Sequence, residues 1–213
     1  MTYAQFKSKF QGLPLIVSKD VLRMEKNGQA IRNQFNRWHK KGLIIKLKRG
    51  VYLFNASDRK VDPSLIFLAN QLYAPSYVSL EFALNYYGLI PERVADATSV
   101  STKKTMRLKN ELGVFIYQHI KPEAFRGFRM LKEERGSSLL LAEPEKAVVD
   151  FLYLNLNKFK ADPEGKFNYS YRFQNLEKLK YKRLIELAEA FNNKRLMSVT
   201  QCFCDFIRKE GRR

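Results

Sequence analysis

The segment Gln29-Ala30-Ile31-Arg32-Asn33-Gln34-Phe35-Asn36-Arg37-Trp38-His39-Lys40-Lys41 sets its large apolar side chains, Ile31, Phe35 and Trp38, at spacings of four and three. The spacing predicts a helix with one buried stripe, and Gln29, Arg32, Asn33, Asn36, Arg37 and Lys40 lie off that stripe. Gly42 supplies a C-terminal stop. Beyond it, Leu43 to Lys48 reads as a strand, Lys48-Arg49-Gly50 as a turn and Val51 to Phe54 as the returning strand. Upstream, Ser18 is placed to accept from the free amides of a helix that starts at Lys19 and turns Val21, Leu22 and Met24 inward; Asn27-Gly28 breaks it. Phe6 and Phe10 share a helical face, and Leu13 to Val17 is a short extended piece.

Helix, turn, basic helix and basic hairpin, in this order, predict a winged helix-turn-helix. Such a unit suits DNA. Its second helix fits the major groove, where Arg, Asn and Gln match guanine and adenine edges. Gln29, Arg32, Asn33, Asn36, Arg37 and Lys40 are the candidate reading face, and Lys46, Lys48 and Arg49 on the hairpin are placed for phosphates or the minor groove. The plainer alternative is a winged helix that uses the same polar face to bind an acidic protein.

Charge favours the first reading. The 213 residues carry 39 Lys plus Arg against 21 Asp plus Glu, a net +18, which points to a polyanionic partner. Residues 1–60 hold 14 of the basic and 3 of the acidic residues, so more than half the excess lies in under a third of the chain. With 45% apolar residues the chain has enough material for one or two cores, which excludes wholesale disorder. No apolar run approaches the ~18 residues of a membrane span, and Met1 to Phe10 lacks a secretion signal. The only cysteines, Cys202 and Cys204, cannot build a disulfide framework. A cytoplasmic protein is expected, without membrane association.

A polar stretch from Asn55 to Pro63 marks a boundary, with Pro63 suited to the first turn of a helix. It divides the chain into residues 1–60 and 61–213. The second part reads as helices at Pro63 to Tyr73 and Ser79 to Tyr87, then strands at Ala97 to Ser101, Thr105 to Leu108, Val114 to Ile120, Phe128 to Leu131 and Leu139 to Leu141. Turns fall at Lys109-Asn110, Gly113, Gly127 and Arg135-Gly136. A helix from Pro144 to Asn155, a polar loop from Phe159 to Asn168 and helices at Leu176 to Asn192 and Lys194 to Lys209 complete the chain. The expected fold class is α+β: an N-terminal winged helix-turn-helix, then a mixed α/β domain with a small, mostly antiparallel sheet and C-terminal helices.

Four blocks of the second part carry a family resemblance. They are Tyr77-Val78-Ser79-Leu80-Glu81-Phe82-Ala83-Leu84-Asn85-Tyr86-Tyr87-Gly88-Leu89-Ile90-Pro91-Glu92, Thr98-Ser99-Val100-Ser101-Thr102-Lys103-Lys104-Thr105, Gly113-Val114-Phe115-Ile116-Tyr117-Gln118-His119-Ile120, and Ala142-Glu143-Pro144-Glu145-Lys146-Ala147-Val148-Val149-Asp150-Phe151-Leu152-Tyr153. With the hairpin Leu47-Lys48-Arg49-Gly50-Val51-Tyr52, they resemble the AbiEi-type antitoxins of type IV toxin-antitoxin systems over about residues 20–155. The resemblance implies a repressor of its own operon that binds a double-stranded operator. It also implies that the second domain counteracts an adjacent nucleotidyltransferase-type toxin without a stable complex. Since one short helix covers few base pairs, an operator with inverted repeats and a dimer formed on DNA are expected.

Much of these blocks has a plain structural reading: Ser79 as an N-cap, Gly88 as a C-cap, Pro91 as a stop and Pro144-Glu145 as a helix start, with Lys146 and Asp150 able to pair. The hydroxyl-rich run Thr98 to Thr105, unnecessary for a core, is the functional candidate. Lys103, Lys104 and Lys146 are the candidate antitoxin surface, as lysines that a core rarely requires. Catalysis finds little support, and no cofactor, catalytic set or metal site is expected. His39 and His119 fall in different parts, and Cys202 and Cys204 point to different sides of a helix. Glu164-Gly165-Lys166 has the spacing of a nuclease motif but sits in a loop. The alternatives are a winged-helix regulator with a ligand-sensing or dimerisation domain, and an RNA-binding protein.

Overall fold

The computed structural model describes residues 1–24, 28–132 and 138–210. The break expected at Asn27 and the turn expected at Arg135-Gly136 lie outside them. The architecture is α+β, a small antiparallel sheet followed by a larger mixed one.

The first helix, α1 (Tyr3–Phe10), opens on a capping box in which Thr2 and Gln5 bond each other's backbone amides. Its Phe6 is fully buried against Trp38 at 4.7 Å, Phe54 at 5.2 Å and Phe35 at 5.4 Å between ring centroids. This aromatic cluster makes the first core. Strand β1 (Ile16–Val17) leads into α2 (Ser18–Met24), then come α3 (Gly28–Lys40), β2 (Ile44–Lys48) and β3 (Val51–Phe54). Val21 is buried as expected, but Met24 is exposed because the inward face of this short helix is already filled by Val21 and Leu22. The strands form one antiparallel sheet in the order β1-β3-β2, with a register shift between Lys46 and Lys48.

That sheet is apolar on both faces. Tyr52 and Phe54 face the first core, while Val51 and Leu53, on the other face, join Leu47 in the core of the second part. The polar stretch after β3 is also tied down: Asp58 accepts from Lys7 Nζ at 2.6 Å, and the Lys60 amide donates to the Gln11 carbonyl at 3.0 Å.

Helix α4 (Leu65–Leu72) is capped by Ser64, whose hydroxyl accepts from the Phe67 amide at 3.1 Å, so Pro63 precedes the cap instead of lying in the first turn. Strand β4 (Ser76–Val78), α5 (Leu80–Tyr86), β5 (Ala97–Ser101), β6 (Met106–Asn110), β7 (Gly113–His119), β8 (Phe128–Lys132) and β9 (Ser138–Ala142) follow. They build a six-stranded sheet ordered β6-β7-β5-β4-β9-β8. It is more mixed than expected, because β4 pairs parallel with β9, and β5 parallel with β7. The expected strand list lacks β4, which is three residues long between Pro75 and Ser79 and offers no alternation to read.

Helix α6 (Pro144–Leu154) packs on α5 and β9. The expected polar loop is instead helical turns, including α7 (Pro163–Gly165), that bury Phe159 and Phe167. The expected long helix at Leu176 breaks at Leu179, where Glu145 of α6 accepts the Lys180 amide at 3.0 Å, and α8 (Tyr181–Glu189) starts only after it. Helix α9 (Lys194–Glu210) closes the chain against α6 and α8.

One polar network crosses the second core. Asp150 accepts from Lys146 Nζ at 2.6 Å, from Tyr77 Oη at 3.0 Å and from Ser79 Oγ at 2.8 Å, with both charged side chains fully buried. Burial pushes the Asp150 carboxyl above its usual range and the Lys146 ammonium below its own, while their mutual attraction opposes both shifts. Gly127, at φ +77°, allows Leu187 and Lys146 to approach: a Cβ there meets Leu187 Cδ2 at 2.6 Å. Removing one partner of such a pair leaves an uncompensated buried charge, so Asp150→Ala is expected to cost about 3–5 kcal/mol in urea unfolding. The joint change Lys146→Met with Asp150→Leu is expected to cost less than Asp150→Ala alone; an equal or larger cost contradicts this account of the pair.

Candidate nucleic-acid interface

Helix α3 buries Ile31, Phe35 and Trp38 and exposes Gln29, Arg32, Asn33, Asn36, Arg37 and Lys40. The near end of this face is organised by its own side chains. Gln29 donates to Asn33 Oδ1 at 3.3 Å and accepts from Arg32 at 3.4 Å. On the hairpin, the β2 and β3 ladder and Gly50 at φ +82° bring Lys46, Lys48 and Arg49 to the same side as α3. Arg32 and Asn36 from the helix and these three hairpin residues line one groove of about 620 Å³. Its apolar lining includes Leu22, Phe35 and Tyr52. Gln29, Asn33, Arg37 and Lys40 do not line the groove and belong to the outer face of α3.

Lys48 differs from its neighbours. Lys46 and Arg49 are exposed, whereas Lys48 is half-buried and donates to the Leu72 carbonyl at the end of α4, at 2.6 Å. Burial, followed by the charge of Lys103, lowers its pKa. Its ammonium is committed to joining the two parts. Groove residues that the sequence reading lacks include Lys19 at the start of α2 and Tyr52 on β3. Tyr52 stacks on Phe35 at 4.6 Å and so lies under the basic rim. The signal for Lys19 is its place beside β1, whose pairing with β3 carries the start of α2 to the hairpin.

The three lysines chosen for the second part fall in two places. Lys103 and Lys104 occupy the exposed turn between β5 and β6. Lys146 is not a surface residue: it is fully buried, neutralised by Asp150, and its ammonium lies 4.4 Å from the Phe191 ring centroid. The run Thr98 to Thr105 divides likewise. Thr98, Ser99 and Ser101 are buried within β5, and only residues 102–105 lie at the surface. Thr98 Oγ1 accepts from the Phe82 amide at 3.0 Å, doing the capping expected of Ser79, whose hydroxyl is taken by Asp150.

Other chemistry is organised differently. Glu164 accepts twice from Lys209 Nζ at 2.9 Å, so this carboxylate is paired across the fold and not with Lys166. Burial raises the pKa of both Cys202 and Cys204. Among the described residues, no three His, Cys, Asp or Glu side chains converge as a metal site, and no helix is long and apolar enough to cross a membrane. No protein-family model and no curated protein matches the chain.

The placement of the lysines is testable by brief amine acylation of the folded chain, read by mass spectrometry. Lys46 and Lys104 are expected to react at least about tenfold faster than Lys146, which needs a local opening; equal rates contradict the burial of Lys146.

Proposed function

We propose that the chain is a DNA-binding transcriptional repressor of winged helix-turn-helix type and the antitoxin of a type IV toxin-antitoxin operon. The observation that carries the DNA-binding half is the groove, in which Arg32 and Asn36 of α3 face Lys46 and Arg49 of the hairpin. In this reading α3 enters the major groove and the hairpin meets the flanking backbone. Arg32, Asn33, Asn36 and Arg37 carry the paired donors and acceptors that distinguish bases, while Lys40, Lys46 and Arg49 supply charge. The antitoxin half is supported by the sequence blocks between residues 77 and 153, which resemble the AbiEi-type family. The adjacent toxin it would oppose is of nucleotidyltransferase type.

Titration of the full chain against a duplex from upstream of its own gene, and against a shuffled duplex, tests the DNA half. Arg32→Ala or Arg37→Ala is expected to weaken binding by about 1–3 kcal/mol on the matched duplex and to relax its sequence preference. Lys46→Ala or Arg49→Ala is expected to weaken both duplexes alike and to make the salt dependence shallower by roughly one counterion each. Unchanged affinity and slope in the quadruple variant would remove this surface from the proposal. Footprints are expected on inverted repeats separated by whole helical turns, about 10 base pairs or multiples. For the antitoxin half, co-expression of the full chain with the adjacent toxin is expected to restore growth; no rescue by a well-expressed chain contradicts it.

A further inference from the structure

The six-stranded sheet ends differently on its two sides. On one side β6 is covered, since the hairpin packs on it and the Asn110 side chain donates to the Leu47 carbonyl at 3.2 Å. On the other, β8 pairs with β9 in unbroken antiparallel register, from Phe128 with Ala142 to Lys132 with Ser138, and among the described residues no element pairs with its outer edge. Strand β8 is five residues long, without proline or bulge, and its Met130 is 66% exposed. An edge of this kind presents a row of unpaired amides and carbonyls, which a protein either blunts or uses.

The residues Phe128-Arg129-Met130-Leu131-Lys132 suit a second copy of themselves. Two copies of one strand pair antiparallel about a two-fold axis. Only the register centred on Met130 pairs all five residues: Phe128 with Lys132, Arg129 with Leu131, and Met130 with its own mate. No like charges stand opposite each other in it, whereas an axis at Arg129 or at Lys132 sets a cation against itself, and like charges directly opposite destabilise a strand pair. Met130 lies opposite Leu140 of β9, so the axis falls in an apolar strip of these two side chains and their mates. Lys132 is brought opposite the Phe128 ring of the other copy, a favourable cation and aromatic pair. Glu143, 3.9 Å from the Arg129 guanidinium, partly offsets the remaining charge.

We propose that β8 is the interface between two copies of this chain, paired antiparallel across a two-fold axis at Met130 so that their sheets become continuous. The pairing stands apart from the DNA-binding reading. Its consequence for DNA rests on that reading: the axis relates the two α3 helices by the same symmetry as the inverted repeats expected of the operator. An extended segment of an unrelated protein would use the same backbone groups without depending on this self-complementary register.

The test is sedimentation equilibrium of the full chain over a wide range of concentration. It compares the unaltered protein, Met130→Lys, Met130→Glu, an equimolar mixture of those two, and Met106→Lys on the opposite outer strand. Met130 and Met106 are both exposed, so unchanged melting temperatures are expected throughout. The unaltered chain and Met106→Lys are expected to dimerise alike. Met130→Lys and Met130→Glu, each alone, set a charge against itself and are expected to raise the dimer dissociation constant at least about tenfold; the mixture is expected to regain the dimer, because opposite charges then meet across the axis. A chain that stays monomeric at every concentration overturns the proposal, as does a dimer that Met130→Lys leaves intact or that Met106→Lys weakens equally. Failure of the mixture to regain the dimer also overturns it, since the second copy is then not paired in this register. The DNA reading is decided separately by the duplex titrations and survives each of these results.

Discussion

Val51, Tyr52, Leu53 and Phe54 form a four-residue strand that is buried on both faces, and the rest of the molecule is arranged around that constraint. A strand points successive side chains to opposite sides, so its two faces must be covered by different layers. Tyr52 and Phe54 are covered by the aromatic cluster of α1 and α3, and Val51 and Leu53 by the second part. The hairpin that carries Lys46 and Arg49 is thereby fixed at its base. An Asn110 side chain that donates to the Leu47 carbonyl at 3.2 Å and the Lys48 bond to Leu72 hold its outer strand. A groove built on such a support presents its cations in a set arrangement, with less side-chain and loop ordering left to occur on binding.

The second part depends on a different interaction. Asp150 gathers Lys146, Tyr77 and Ser79, and so ties α6 to central β4 and the chain entering α5. Polar groups this deep are tolerated because each carboxylate oxygen has a donor. The network also explains why residues that look exposed in a linear reading are not available at the surface. Its residues lie in the very blocks on which the proposed antitoxin reading rests, so those blocks hold structural side chains as well as surface ones. Lys103 and Lys104 remain at the surface, beside the hairpin.

Local pattern made the helix α3, the β2 and β3 hairpin, α6 and α9 legible, since each depends on side-chain period and end signals within a few residues. Pairings set by distant chain were not. Strand β4 is identified by its neighbours β5 and β9 and not by its own three residues. The break before α8 depends on Glu145, 35 residues earlier. Burial of Lys146 had a usable signal: it stands four residues before Asp150 in a helix otherwise filled by Ala147-Val148-Val149 and Phe151-Leu152, so the two opposite charges can neutralise each other inside a core. Of the site, the polar face of α3 and the basic hairpin tip were legible as types of residue. Their meeting in one groove, the contributions of Lys19 and Tyr52, and the diversion of Lys48 came from tertiary packing.

The central claim is that the exposed face of α3 lies against the bases of duplex DNA while the hairpin follows the backbone. It is tested most directly by replacing Asn36 with a photoreactive benzoylphenylalanine and irradiating the full chain on the duplex from upstream of its own gene. The account predicts covalent adducts to a small set of bases from position 36, and none from the same group placed at Lys194 on α9. Adducts from both positions alike, or none from position 36 on a duplex that is demonstrably bound, would contradict it.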